Sequence, residues 1–286
     1  MTGRSYRAYG EEYEFQDSEY ADDTALVFDS REEASVGIPL CMAHFDCFGM
    51  EIHSGPPDSK SVVLFCSKPP CMYDDPATFD QADLSNIVFG DRFIPVEGEY
   101  IYLGSVISSD SSDDLDVDRR IQKACNSLFS RTKIKLSVKA KVYQAFILPI
   151  SLYGVECWSL TEKLLYKLRA FHHRCVRSIC RVTLLDRKRT SDLLDKLSME
   201  SIDTYICRQQ LRWAGHVMRM PWNRLPRKML SCWVRSKRPC GAPRFRYGRS
   251  LYKCLKKSGI DTNVWHDLAL NKLEWRNLIH SVKIDP

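Results

Sequence analysis

Two adjacent carboxylates near the start of the chain are the residues whose types and spacing most directly suggest chemistry. Asp22 and Asp23 follow Tyr20 and precede Thr24-Ala25-Leu26-Val27-Phe28, an apolar run typical of a buried strand. The pattern predicts a tight β-hairpin with the acids at its turn. Neighbouring carboxylates repel each other unless a cation lies close to them, and carboxylate oxygens are ligands that Mg²⁺ prefers. The alternative is an exposed acidic turn that binds nothing.

Charge is distributed very unevenly along the 286 residues, although the total is only +6. Residues 1–118 contain six Lys or Arg and twenty-five Asp or Glu, for a net charge of −19. Residues 119–286 contain thirty-six Lys or Arg and eleven Asp or Glu, for a net charge of +25. A strongly basic half indicates binding to nucleic acid or another acidic surface. The alternative is a set of solvated helix faces.

The composition argues against a secreted or membrane-spanning chain. The first thirty residues are acidic and lack the apolar core of a signal peptide. The longest apolar stretch, residues 145–155, is interrupted by Pro149 and is shorter than the ~20 residues that cross a bilayer. Twelve cysteines without a CxxC pair favour free thiols over zinc ligands. We therefore expect an intracellular protein of the nucleus or cytoplasm, with no membrane contact.

Hydrophobic periodicity predicts an α+β fold. Up to about residue 110 the pattern is strand-rich, with strands predicted at residues 61–66 and 100–107 and a helix at 32–49. Beyond Ser111 the apolar residues recur with helical spacing, and Val117, Ile121 and Ala124 form one stripe. A helix over residues 137–148 should be interrupted by Pro149.

Two later helices combine an apolar stripe with a basic face. Ser159 to Glu162 fits a capping box that opens a long helix, and a second helix is predicted near residues 206–219. Their basic side chains could follow a phosphate backbone, or they could simply be solvated. The candidate contacts are Lys163, Lys167, Arg174 and Arg177 on the first helix and Arg208, Arg212 and Arg219 on the second.

Five segments of the chain follow one another in a recognisable order. They are Ser18-Glu19-Tyr20-Ala21-Asp22-Asp23, Phe48-Gly49-Met50 with Lys60-Ser61, Tyr100-Ile101-Tyr102-Leu103-Gly104-Ser105, Leu152-Tyr153-Gly154, and Leu211-Arg212-Trp213-Ala214-Gly215-His216. Together they resemble the C-terminal part of the reverse transcriptase of non-LTR, LINE-like retrotransposons. The resemblance covers residues 18–280.

This resemblance implies a domain organisation, a metal and partners. Residues 1–107 would be a partial polymerase palm, residues 108–200 a helical thumb, and residues 201–286 a basic helical C-terminal region. In a complete polymerase Asp22 would help to bind Mg²⁺, Asp23 would lie near the primer end, and Lys60 could neutralise or protonate the leaving pyrophosphate. The expected partners are RNA and DNA template-primers.

The sequence also departs from the family pattern. The family has a third metal-binding aspartate and a fingers domain well upstream of the hairpin, whereas nineteen residues precede Tyr20 here. Asp17 is expected to lie on the same hairpin and so cannot replace the missing aspartate. We therefore expect weak Mg²⁺ binding, no polymerase activity from this chain alone, and a missing N-terminal polymerase portion as a partner. The alternatives are a non-catalytic nucleic-acid-binding protein derived from a retroelement, or a pseudogene product.

Overall fold

The computed structural model describes ten segments of the chain. They are residues 12–13, 17–20, 23–54, 60–66, 85–89, 92–110, 112–125, 135–231, 233–234 and 247–284. The described residues fall into an N-terminal unit, 12–112 with 233–234, and a helical unit, 113–231 with 247–284. Strands are confined to the first unit and most helices to the second, which confirms the α+β prediction. The predicted three-part division at residues 107 and 200 stays a prediction.

The N-terminal unit is built from short strands that pair two at a time. Strands β2–β3, β5–β6 and β8–β9 pair antiparallel, whereas β1–β10 and β4–β7 pair parallel. The strands are β1 Glu12–Tyr13, β2 Asp17–Tyr20, β3 Asp23–Leu26, β4 Val63–Leu64, β5 Ile87–Phe89, β6 Arg92–Ile94, β7 Val96–Glu97, β8 Glu99–Tyr102, β9 Ser105–Ser108 and β10 Trp233–Val234.

The single helix α1 of the described N-terminal unit spans Arg31–Cys47, where the sequence predicts a helix. The Ser30 side chain caps it by accepting a hydrogen bond from the backbone N–H of Glu33. Pro39 lies inside without ending it. Gly37 permits close packing, because a Cβ at that position would overlap the ring of Phe28.

The segment predicted as one strand at residues 100–107 is instead a hairpin of β8 and β9. Tyr102 pairs with Ser105 across a two-residue turn. Both turn residues have positive φ, 48° at Leu103 and 83° at Gly104, which is the backbone of the turn that matches the twist of paired strands. Gly104 is therefore the second turn residue of this hairpin rather than a residue inside a strand.

The helical unit contains ten α-helices among its described residues. They are α2 Asp114–Cys125, α3 Leu136–Val142, α4 Leu148–Ser151, α5 Glu162–Cys180, α6 Thr190–Leu197, α7 Ile202–Met218, α8 Leu225–Ser231, α9 Tyr247–Lys257, α10 Trp265–Leu270 and α11 Lys272–Ser281. A π-helical turn, Tyr143–Ile147, joins α3 to α4. None of the helices in the described segments is long and apolar enough to cross a membrane.

Two helix boundaries differ from the sequence-based prediction. Pro149 does not end the helical run at residue 148, because the run continues from the π-helical turn into α4, where Pro149 is the second residue. Helix α5 is capped by Thr161, whose hydroxyl accepts from the backbone N–H of Leu164. The predicted cap, Ser159, instead donates its backbone N–H to Asp113 over 2.8 Å.

The predicted apolar stripes form the cores of the helical unit. On α5, Leu164, Leu168 and Phe171 are buried in a cluster that also contains Val117 of α2. A second cluster lies between α7 and the C-terminal helices and is centred on Leu211, Ala214, Trp265 and Trp275. The apolar face of each long helix is thus used for packing; α5 keeps an exposed face, whereas in α7 only Arg212 and His216 are exposed.

We predict that Gly215→Ala destabilises the helical unit, because a Cβ there would overlap the indole of Trp275. That indole donates a 3.0 Å hydrogen bond to the carbonyl of Leu211, so it cannot move freely. Overpacking of this kind typically costs about 1–3 kcal/mol, measurable by chemical denaturation. Gly248→Ala is the control, since a Cβ added there would meet no atom within 4 Å beyond the neighbouring residues and the backbone of its own helix. Equal stability of the two variants would contradict this packing.

Candidate nucleic-acid interface

The acidic tetrad lies at the end of a hairpin, as the sequence predicts. Strands β2 and β3 pair in a register that places Asp17 opposite Leu26 and Tyr20 opposite Asp23. Two residues therefore connect the strands, and Asp22 is one of them. Asp22 lies outside the described residues, whereas Asp23 is exposed at the first position of β3. The hairpin prediction is confirmed.

The prediction that residues 24–28 form a buried strand is wrong. Leu26 is 42% exposed and Val27 is 46% exposed. The physical reason is that β3 pairs with β2 alone among the described residues. A strand without a second neighbour or a covering layer keeps its apolar side chains in contact with solvent.

The hairpin register tests whether Asp17 could complete a metal site with Asp23. Side chains alternate between the two faces of a sheet, and cross-strand partners share a face. Asp17 belongs to the Leu26 pair and Asp23 lies three positions away from Leu26, so the two carboxylates face opposite sides. No group of three potential metal ligands occurs within the described segments. Among the described residues, therefore, Asp17 does not stand beside Asp23 as a second metal ligand.

Lys60 is exposed, and its backbone is fixed at both polar groups. Its N–H donates to Nδ1 of His53 over 3.3 Å, and its carbonyl accepts from the hydroxyl of Tyr100 over 2.7 Å. These bonds hold the loop before β4 against β8. They leave the ammonium in solvent, where it can bind an anion.

Two of the predicted contacts on α5 form ion pairs with α2. Lys163 and Lys167 each lie 3.1 Å from a carboxylate oxygen of Asp114, and Lys167 also lies 2.7 Å from Asp118. Partial burial lowers the pKa of Lys167, but its hydrogen bonds to the two aspartates outweigh this and raise the pKa overall. The acids of α2 therefore neutralise the N-terminal half of the α5 basic face.

The C-terminal half of that face has a different environment. Arg174 is exposed. Arg177 donates to the backbone carbonyls of Thr183 and Lys188, over 3.3 and 2.8 Å. Arg177 thus holds the loop that follows α5, whereas Arg174 remains available to an external anion.

Of the three arginines predicted on the second helix, two are bound within the protein and one is exposed. Arg208 donates to the carbonyl of Val282 over 2.8 Å and pairs with Glu200, and Arg219 donates to the carbonyl of Ala269 over 2.6 Å. Both guanidinium groups therefore attach the C-terminal segments to α7. Arg212 is exposed.

Sequence reasoning identified Arg174 but missed the exposed basic surface that continues beyond it in the helical unit. It runs from the end of α5 through the following loop to α6, and we call it the basic patch. Its exposed members are Arg174, Arg181, Arg187, Lys188, Arg189 and Lys196. The signal was present in the consecutive Arg187-Lys188-Arg189, which lies between two predicted helices rather than on one of them.

A second basic surface lies on α9. Arg249, Lys253 and Lys256 are exposed on this helix with the spacing that places them on one face. A cavity of about 190 Å³ lies between Arg249, Lys253 and the N-terminus of α5. Glu162 lines it and pairs with Lys253 over 3.0 Å, so one cation of this surface is already neutralised.

One nearly buried carboxylate joins the three helices that carry these basic faces. Asp203 of α7, 5% exposed, accepts two hydrogen bonds of 2.7 and 2.6 Å from Arg169 of α5. Its Oδ1 also lies 3.7 Å from Nζ of Lys257 of α9. Burial raises the pKa of Asp203, but Arg169 and Lys257 outweigh burial and lower it overall. The carboxylate is therefore ionised in the folded protein at neutral pH.

We predict that Asp203→Asn destabilises the helical unit by about 1.5–3 kcal/mol, because it removes the charged acceptor of the hydrogen bonds from Arg169. Because the folded-state pKa of Asp203 is lowered, its contribution is present above the unfolded value of ~3.9 and is lost as the pH falls below it. Urea denaturation at several pH values measures both effects.

Lys163→Gln is the control for this prediction. It removes an ion pair of α5, the helix that carries Arg169, and the side chain of Lys163 is 72% exposed. Exposed pairs contribute about 0–1 kcal/mol. If Asp203→Asn were as stable as Lys163→Gln at neutral pH, Asp203 would not be the junction of the three helices.

Comparison with known proteins gives one informative similarity. The chain is 25% identical over 290 residues to a Caenorhabditis elegans protein named "Putative uncharacterized transposon-derived protein". The match covers 91% of this chain and 93% of that protein. No protein-family model matches the chain, and no solved structure matches it. The chain is thus similar over nearly its whole length to a protein of transposon origin, which supports the same origin here.

Proposed function

We propose that this chain is the C-terminal, template-primer-binding portion of a retroelement reverse transcriptase and does not polymerise by itself. The order of its five motif segments supports the reverse transcriptase assignment, and the transposon-derived relative supports an origin in a mobile element. The proposed ligand is RNA or DNA, bound through its phosphates with little preference for sequence.

The observation that carries this proposal is the basic patch. Six exposed cations occur within 23 residues of a helix–loop–helix segment, residues 174–196. The same segment contains three acids, Asp186, Asp192 and Asp195, and Asp186 is engaged in hydrogen bonds to Thr183 within the loop. The acids of α2 pair with lysines near the other end of α5. The patch therefore keeps a local excess of positive charge, which is what a polyanion requires.

The described part of the chain brings together few of the groups that phosphoryl transfer needs. Two-metal catalysis requires carboxylates that bind both ions between them. The hairpin supplies Asp22 and Asp23 from one turn, and Asp17 faces away from Asp23 by the strand register. A complete site would need a carboxylate from another polypeptide segment.

We predict that the full chain binds RNA and DNA with a strong salt dependence. If binding neutralises about six phosphates, log K should fall against log salt with a slope near −5 for duplex DNA. Replacing Arg174, Lys188 and Arg189 with Gln should weaken binding to all sequences alike and reduce the slope by about 2–3. Fluorescence anisotropy at several salt concentrations measures both quantities.

The control is the triple variant Lys272→Gln, Arg276→Gln and Lys283→Gln, which removes the same charge from exposed positions outside the patch. If the control weakened binding less than the patch variant, the binding site would be the patch, and net charge alone would not explain the affinity. If the two variants behaved alike, or if binding did not depend on salt, the patch would not be the interface.

We also predict that the purified chain does not extend a DNA primer on an RNA template with nucleotides and Mg²⁺ or Mn²⁺. The reason is that the described residues place no third carboxylate on the Asp23 side of the hairpin. Asp23→Asn serves as the matched variant. Extension by the natural chain that Asp23→Asn abolishes would refute this prediction.

A non-catalytic, retroelement-derived nucleic-acid-binding protein is the second candidate. The strand register favours this candidate because it places Asp17 and Asp23 on opposite faces of the hairpin, away from a shared metal site. Nucleic-acid binding by the basic patch would not require such a site. Adding an upstream polymerase portion of the same element in trans distinguishes the two. Restored primer extension would favour the polymerase portion, and binding without extension would favour the second candidate.

A further inference from the structure

The loop between α5 and α6 presents two leucines to solvent. Leu184 is 80% exposed and Leu185 is 91% exposed. They are adjacent and lie at the turn of the loop, and they are more exposed than any other large apolar side chain of the described residues. Neither leucine takes part in the core that Val182 joins just before them.

Hydrogen bonds within the loop fix this exposure. The backbone N–H of Arg187 donates to the carbonyl of Leu184 over 3.2 Å and closes the turn. Asp186 accepts from the backbone N–H and the hydroxyl of Thr183, over 2.6 and 2.7 Å, and these bonds lower its pKa. Arg177 binds the carbonyls on both sides of the turn. The loop is thus built to hold its leucines outward.

Cations surround the leucines on both sides. Arg181 precedes them, and Arg187, Lys188 and Arg189 follow them, all with exposed side chains. Asp186 is the one acid between residues 181 and 189, and its carboxylate is engaged within the turn. An apolar tip flanked by cations matches a ligand that has an apolar interior between two rows of anions.

We propose that Leu184 and Leu185 form a wedge that inserts between adjacent base pairs of a bound duplex while the flanking cations contact its phosphates. Apolar side chains such as leucine can enter a base step and partly unstack it. This inference rests on the proposed nucleic-acid binding and adds a specific role for the loop. The cost of unstacking offsets the gain from burying the leucines, so the wedge changes the duplex more than it changes affinity.

The charge of the surrounding surface favours nucleic acid over an anionic membrane as the ligand. Arg174 continues the row of cations along α5, because it lies seven residues, or about two helical turns, before Arg181. The patch thus extends along a helix and a loop, as a contact that follows a phosphate backbone would require.

The test uses the full chain and a short duplex with 2-aminopurine at a flexible pyrimidine–purine step. Fluorescence of this base rises when it is unstacked. The natural chain should raise it roughly twofold or more, and the double variant Leu184→Ser, Leu185→Ser should lose the rise while its affinity stays within about threefold, since phosphate contacts dominate affinity. The control is Leu270→Ser, Leu273→Ser, which removes two other exposed leucines, 56% and 69% exposed, and should behave like the natural chain.

Each outcome decides the question. Binding by all three proteins with no fluorescence rise, or with equal rises, would overturn the wedge and leave the proposed function intact. Failure of the natural chain to bind any duplex or template-primer would overturn both. If the loop variant lost binding to phosphatidylserine vesicles but still unstacked the duplex, the leucines would belong to a lipid contact and the wedge would be wrong.

Discussion

The ion pair between Arg169 and Asp203 is the constraint on which the arrangement of the helical unit depends. Asp203 is nearly buried, so it requires compensation from cations that other helices supply. Arg169 provides this from α5 through two parallel hydrogen bonds, and Lys257 approaches from α9. A two-point guanidinium contact also fixes orientation. The relative rotation of α5, α7 and α9, and hence the direction of their basic faces, is set at this junction.

Electrostatic pairing then determines which cations can meet an external anion. Asp114 and Asp118 of α2 neutralise Lys167, while backbone carbonyls accept from Arg208 and Arg219. Lys167 is thereby neutralised, whereas Arg208 and Arg219 keep their charge but have their guanidinium groups directed at carbonyls within the protein. Six exposed cations remain at residues 174–196, beyond the part of α5 where the acids of α2 pair with Lys163 and Lys167. Net charge alone therefore overstates the number of cations available to a ligand. The internal pairing determines where the available cations lie.

Some of this arrangement could be predicted from sequence and some could not. Local patterns predicted the Tyr20–Asp23 hairpin, helix α1 and the apolar stripes of α5 and α7, because side-chain periodicity determines them. The roles of Arg208 and Arg219 could not be predicted. The carbonyls that accept from them lie 50 or more residues away, and a backbone carbonyl has no sequence signature. The sequence alone did not distinguish Thr161 from Ser159 as the cap of α5, because both hydroxyl residues lie within three positions of the first helical residue.

The exposed strand β3 connects the fold to the proposed origin of the chain. Its sequence has the apolar character of a buried strand, yet Leu26 and the following Val27 remain 42% and 46% exposed. A two-stranded hairpin is at best marginally stable in water and normally gains stability from a further strand or a packed layer. The contradiction between sequence and exposure is resolved if β3 evolved beside strands of a larger palm. Under the proposed function, a further polymerase strand placed beside β3 would cover Leu26 and could bring another carboxylate towards Asp23.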